Sequence, residues 1–270
     1  MDELTFGVVA WSCVRYSLDE IERIRKKPSS DFPAVVTPAF FKHSDEQTIA
    51  SVGAIVRAIH DFEMPIDGFQ SWSIAAAPRF MGRTALAAGM HRYEVDGPWG
   101  TSVQAVPHRS QHSVASTLSL MLGTHGPCIG AGSGHGSDTE VLLTAVSLLD
   151  DEHSEGTWLV MSGFDPELEI DRAGKPIADT SCVAVALALA PGNRPCHSEL
   201  RFNVTSQTHY ESGEQTQGPL AAMTQLLPRV GNSLRDDLSC VGGSSQGVRW
   251  ELSLRAPQQA AAAMVTQRAA

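Results

Sequence analysis

Two uninterrupted apolar runs of strand length constrain this chain most. Thr157 to Met161 (TWLVM) and Cys182 to Ala190 (CVAVALALA) carry almost nothing that calls for water on either face. A strand exposed on one side alternates apolar and polar residues, whereas a strand that is apolar throughout is covered on both sides. Such strands belong in the middle of a sheet that lies between helices.

The remaining sequence supplies those helices. Leu18 to Lys27 carries acidic residues early and basic residues late, which suits the helix dipole. Gln47 to His60 places Ile49, Val52, Ile55, Val56 and Ile59 on one face. Ser110 to Leu122 repeats the pattern with Val114, Leu118, Met121 and Leu122, and Gly123 stops it. Ser137 to Leu149 reads as another helix, with Ser137 or Asp138 as its cap and Val141, Leu142, Ala145, Leu148 and Leu149 on its apolar face. Gly218 to Leu227 ends at Pro228. Phe6 to Trp11, Gly68 to Ala77 and Val248 to Leu254 read as further strands, and Cys128 to Ala131 as a short buried one. A small helix is expected over Phe80 to Ala88, and a Gly- and Pro-rich loop over Tyr93 to Val106. Strands alternating with helices predict a layered α/β protein. No linker divides the chain, so residues 1–257 are expected to form a single domain. The Ala- and Gln-rich residues 258–270 are expected to be a disordered tail.

Charge narrows the partners. The 270 residues include 30 acidic and 20 basic, a net charge of -10. That balance disfavours binding to nucleic-acid phosphates. The acidic start Met1-Asp2-Glu3-Leu4 does not resemble a secretion signal, and no run approaches the roughly 20 apolar residues that span a bilayer. A cytoplasmic protein that binds neither nucleic acid nor membrane is expected. Cys13, Cys128, Cys182, Cys196 and Cys240 are odd in number and widely spaced, so neither a zinc ribbon nor a disulfide framework is indicated. Cys128 and Cys182 fall on strands expected to be buried, where thiols are inert.

Chemistry concentrates in the turn Gly132-Ser133-Gly134-His135-Gly136-Ser137. Three glycines make room for a substrate or for unusual backbone angles. His135 can serve as a general base and Ser133 as a nucleophile, which points to acyl transfer or decarboxylation. The plainer reading is a tight strand-to-helix turn in which His135 caps the helix. The glycines do not spell GxGxxG and no P-loop lysine follows, so no nucleotide cofactor is expected. His108 and His112 lie four apart, with His125 and Cys128 later, but the HExxH glutamate is absent and no metal is expected. Arg79, Arg83, Arg92, Lys26 and Lys27 are either solvated charges or contacts for an acidic, phosphate-bearing partner. Trp72, Trp99, Trp158 and Trp250 suit a core or an interface, and Met81, Met90, Met121 and Met223 suit a core or an acyl tunnel.

Val106 to Leu149 resembles the centre of the β-ketoacyl synthases, where a helix ending in "LGLxGP" leads to a strand and a "DTAC" turn places the nucleophilic cysteine at a helix start. The corresponding residues are Met121-Leu122-Gly123-Thr124-His125-Gly126-Pro127, Cys128 to Ala131, and the glycine-rich turn. Counted from Gly126-Pro127, the cysteine position holds His135. Thr157 to Gly163, Cys182 to Ala190, Gly218 to Ala222 and Ser239 to Leu254 are similar to later strands, a helix and the closing segment of that family. Its histidine motifs, "HGTGT" and "GHxxxA", have no counterpart.

The resemblance implies a thiolase-like fold, α/β/α with mixed sheets and a reduced C-terminal half. It also implies the role of a chain-length factor, the non-catalytic partner of an active ketosynthase in polyketide or fatty-acid-like biosynthesis. Such a subunit forms a heterodimer, shapes the acyl tunnel and meets an acyl carrier protein. In that fold the strand after Gly-Pro and its neighbouring helices form the dimer interface. A homodimer is the alternative assembly. The competing functions are an acyl-thioester enzyme working through His135 and Ser133, and an interaction module unrelated to acyl chemistry.

Overall fold

In the computed structural model the described residues are 4–100, 105–132, 134, 136–149, 154–191, 196–206, 218–227, 238–243 and 248–255. In chain order the elements are β1 (Leu4–Ser17), α1 (Leu18–Lys26), α2 (Pro38–Phe41), α3 (Glu46–Asp61), β2 (Trp72–Pro78) and α4 (Arg83–Asp96). A 3₁₀ turn at Gly97–Gly100 follows, then α5 (Ala105–Arg109), α6 (His112–Leu122), β3 (Cys128–Gly130), α7 (Ser137–Leu149) and β4 (Gly156–Asp165). The rest is β5 (Ser181–Pro191), β6 (Ser198–Ser206), α8 (Pro219–Leu226), β7 (Leu238–Gly243) and β8 (Val248–Arg255).

Among the described residues all eight strands join one mixed sheet, ordered β3-β2-β4-β5-β1-β6-β8-β7, rather than several sheets. β2 pairs in parallel with β3 and β4, and every other pairing is antiparallel. The two apolar runs are the neighbouring strands β4 and β5 near its centre. Their alternate residues feed two cores. Trp158, Val160, Ala184 and Ala186 pack beneath α3 and α6, where Ile49, Ile55, Val114 and Leu118 complete one layer. Leu159, Met161, Val185 and Leu187 face the other way, onto Val141, Ala145, Leu220 and Met223 of α7 and α8. This two-sided burial is the physical reason that neither strand carries a polar stripe.

Local signals set several element ends. Ser17 and Glu20 form a reciprocal capping box at α1. Gly123 ends α6 with φ 64°, a left-handed conformation that costs glycine little. Gly126 lets the chain pass under β2, because a Cβ there would lie 2.8 Å from the carbonyl carbon of Trp72.

Four expectations need correction. β3 is an outer strand, so Cys128 is half-buried and Ile129 is 37% exposed; apolar composition produces burial only where a layer covers it. The segment from Tyr93 is not all loop, since α4 runs to Asp96 and α5 begins at Ala105. β2 begins at Trp72, after turns that include Gly68. β6 and β7 add strands where no run was expected. The tail at 258–270 lies outside the described residues. Among the described residues no helix is long and apolar enough to cross a membrane.

Candidate functional site

The glycine-rich turn joins the outer strand β3 to α7. Ser133 and His135 lie outside the described residues, and the groups around them define the site. Gly132 has φ 53°, and a Cβ there would lie 2.7 Å from Ser137 Cα, so the turn needs glycine at that point. The Ser137 hydroxyl donates to the Gly134 carbonyl at 2.9 Å. Backbone N–H groups of Thr139 and Glu140 donate to Gly136 O at 3.0 and 3.1 Å. The turn is thereby tied down on its helical side.

Asp138 then reaches across to the start of α8. Its side chain is buried, and Oδ2 accepts the Leu220 N–H at 3.0 Å. Oδ1 has no hydrogen-bond partner among the described residues. Burial pushes the carboxyl above the usual aspartate range, opposed chiefly by the Leu220 N–H. A Cβ at Gly218 would lie 3.3 Å from Asp138 Cγ, so the backbone of the α8 cap approaches as closely as glycine permits. α8 also presses Leu220 toward Gly163 of β4. The start of α7 is thereby wedged against the start of α8.

The arginines beside the site are committed to protein contacts. Arg79 pairs with Glu167 at 3.0 Å, and Arg83 reaches the same carboxylate at 3.3 Å and the Leu168 carbonyl at 2.8 Å. Between them Phe80 has φ 51°, a strained angle for a non-glycine residue. The Arg83 guanidinium lies 4.8 Å from the Phe80 ring centroid, a cation–π distance. Gln47 ties this corner together, donating to Arg79 O at 2.8 Å and accepting from the Ser162 hydroxyl at 3.1 Å. Arg92, Lys26 and Lys27 are exposed.

A cavity of about 840 Å³ opens beside β3, lined by Phe80, Met81, Leu86, Met90, Arg109 and Gly130 among others. Its outer wall is α4, a 14-residue helix with no buried residue. Leu86, Met90, Tyr93 and Val95 are more than half exposed, and Trp99 just beyond is 97% exposed. Leu120 of α6 and Ile129 of β3 are also exposed apolar residues. Sequence reasoning missed the surface, although Leu86, Met90 and Tyr93 have helical spacing; the glycines and proline nearby obscured it. The four tryptophans singled out divide accordingly. Trp72 and Trp158 are core, Trp99 is surface, and the side chain of Trp250 lies outside the described residues.

Among the described residues the cysteines and histidines do not assemble a second centre. Burial, with Asp45 and Glu46 adding to it, pushes the Cys182 thiol well up. The Cys128 thiol faces Thr124 Oγ1 at 3.8 Å and donates to Gly126 O at 3.4 Å. His108 and His112 fall on different helices, α5 and α6. Among the described residues no three His, Cys, Asp or Glu side chains are placed to hold a metal.

No family model and no curated protein matches the chain. Solved structures do. A chain of a type II polyketide synthase acyl-carrier protein in complex with its ketosynthase bound to the hexaketide is 11% identical, with TM-score 0.69 over 94% of this chain and 100% of that one. The ishigamide ketosynthase/chain length factor gives 11% identity and TM-score 0.65 over 94% and 99%. A ketosynthase in complex with its chain length factor from Xenorhabdus doucetiae gives 13% and 0.52 over 93% and 99%. The likeness at such low identity is one of architecture, and it runs through the whole length of each of those chains.

Proposed function

We propose that this chain, which has the thiolase-like fold of the ketosynthases, is a non-catalytic subunit that pairs with an active ketosynthase in polyketide or fatty-acid-like synthesis in the cytoplasm. The observation that carries the reading is the apolar surface along the β3 edge. Ile129 is exposed on a strand that pairs on one side only among the described residues, and Leu86 and Met90, exposed on α4, line the cavity beside Gly130 of the same strand. Exposed apolar side chains grouped beside a sheet edge mark a place where another chain adds. Two of the similar structures are named as a ketosynthase with its chain length factor, and another as a ketosynthase with its acyl-carrier protein. Those pairings support a ketosynthase and a carrier protein as partners here.

The chemistry of the turn agrees. Condensation requires a thiolate that holds the acyl chain as a thioester, and the corresponding position holds His135. The wedge between Asp138 and α8 braces the helix start that would present it. The cavity behind α4, walled by Met81, Met90, Leu86 and Phe80, is suited to contribute to an acyl tunnel at the interface, because methionine side chains adapt to flexible chains.

The test is co-expression with a cysteine-bearing ketosynthase from the same source, followed by size-exclusion chromatography and a carrier-protein elongation assay. A one-to-one complex is expected. It should elongate only when this subunit is present, retain activity with His135→Ala, and dissociate with Ile129→Arg. A lone homodimer that turns over acyl thioesters and loses that activity with His135→Ala overturns the reading in favour of an enzyme.

A further inference from the structure

α5 is five residues long, and the segment before α3 and the start of α4 hold it to the body. Arg109, its last residue, donates through Nη1 to Asp45 Oδ2 at 3.1 Å. Asp45 is buried and also caps α3, its Oδ1 accepting the Gln47 N–H at 3.0 Å. One residue earlier, the His108 ring lies against that of His43, with centroids 5.4 Å apart. The α4 cap closes on the same residue, since a Cβ at Gly82 would lie 3.1 Å from both Arg109 Cβ and Arg109 O. Arg109, Ser110, Gln111 and His112 form one wall of the 840 Å³ cavity.

We propose that α5 is a latch on this cavity, closed at neutral pH and released in mild acid by loss of the Asp45–Arg109 ion pair and of the His43–His108 ring contact. The proposal does not depend on the acyl-synthesis reading.

The charges around the latch are few, and their effects share a direction. Asp45 faces Glu46 on its own helix, Arg109 on α5 and the neutral Cys182 thiol on β5. Arg25 neutralises Glu46 in part, at 3.5 Å. His108 faces His43 and Arg109, and the cavity wall adds His112 and Arg83. Burial, reinforced by Glu46, pushes Asp45 up to about 6, and Arg109 works against that rise. If Arg109 withdraws while Asp45 stays beneath α3, the carboxyl holds its proton more tightly, so proton uptake favours opening. Burial, His43 and Arg109 hold His108 below its ordinary value. Release frees it to protonate, and a protonated His108 repels both neighbours. Both groups therefore take up protons on opening, between about pH 7 and pH 5.

Hydrogen–deuterium exchange on the full chain at pH 7.5 and pH 5.5, corrected for intrinsic rates, tests this. α5 and the first turn of α4 should exchange about tenfold or more faster at pH 5.5, the ratio that one pKa unit of coupling produces, while β5 does not change. Asp45→Asn should open the latch at pH 7.5 and remove most of the pH dependence. His43→Gln with His108→Gln alters exposed and half-buried positions, and should blunt the acid response even if Asp45→Asn fails to fold. Equal corrected rates at the two pH values, or an acid response that the histidine pair leaves undiminished, overturns the proposal.

Discussion

Replacing Asp138 tests the brace at the turn quantitatively. With Asp138→Ala the Leu220 N–H loses its acceptor in a buried setting. An orphaned buried donor costs about 1–3 kcal/mol. For a chain of this size that is roughly 2–4 °C per kcal/mol, and the melting temperature should fall at every pH. Asp138→Asn keeps a carbonyl oxygen for Leu220 and removes only the charge. The carboxyl is held above its unfolded value, so the folded state binds its proton more tightly than the unfolded state does. The stability tied to that proton is present at low pH and is lost as pH rises through the folded pKa. The Asn variant lacks this loss. It should melt near or below the parent at pH 4 and gain on it steadily toward pH 8. Calorimetric melts across that range decide the matter. A difference between parent and Asn variant that stays constant from pH 4 to pH 8 refutes the claim that burial of this charge works against the fold.

Two further outcomes follow from packing and burial. Gly126→Ala places a methyl group against the Trp72 carbonyl and should cost about 1–3 kcal/mol, read by chemical denaturation. Cys182, fully covered and with its thiol pushed well up, should resist iodoacetamide in the native protein at pH 8 and react after denaturation; labelling in the native state would place it at the surface.

The central architecture was legible because burial on two faces leaves a mark on composition. β4 and β5 announced themselves, and so did α3, α6 and α7, whose apolar stripes face the sheet. β6 was not legible in the same way, since Ser198–Ser206 mixes Glu, Arg, Asn and Thr with its apolar residues. It owes its place to pairing with β1 and β8, and strand propensity depends on neighbours. The exposure of β3 was invisible for the converse reason. Cys128, Ile129 and Ala131 have the composition of an interior strand, and only the sheet order shows that β3 lies at the edge among the described strands. At the site, the turn was found through its glycines. Asp138 was visible only as a candidate helix cap, because its partner Leu220 lies 82 positions away and no local pattern encodes so distant a contact.

The placement of β1 bears on how the chain is made. This first strand has two partners, β5 and β6, and both come late: Ser17 meets Ser181, and Phe6 meets Pro191 and Leu200. At roughly 5–20 residues per second on the ribosome, a 14-residue strand that contains Phe6, Val8 and Trp11 waits about 10–40 s for its hydrogen-bonding neighbours. The parallel set β2, β3 and β4 is complete before then, so the emerging chain carries an unsatisfied apolar strand beside a half-built sheet. Its yield in a cell should therefore depend on whatever shields that strand until residue 191 clears the exit tunnel.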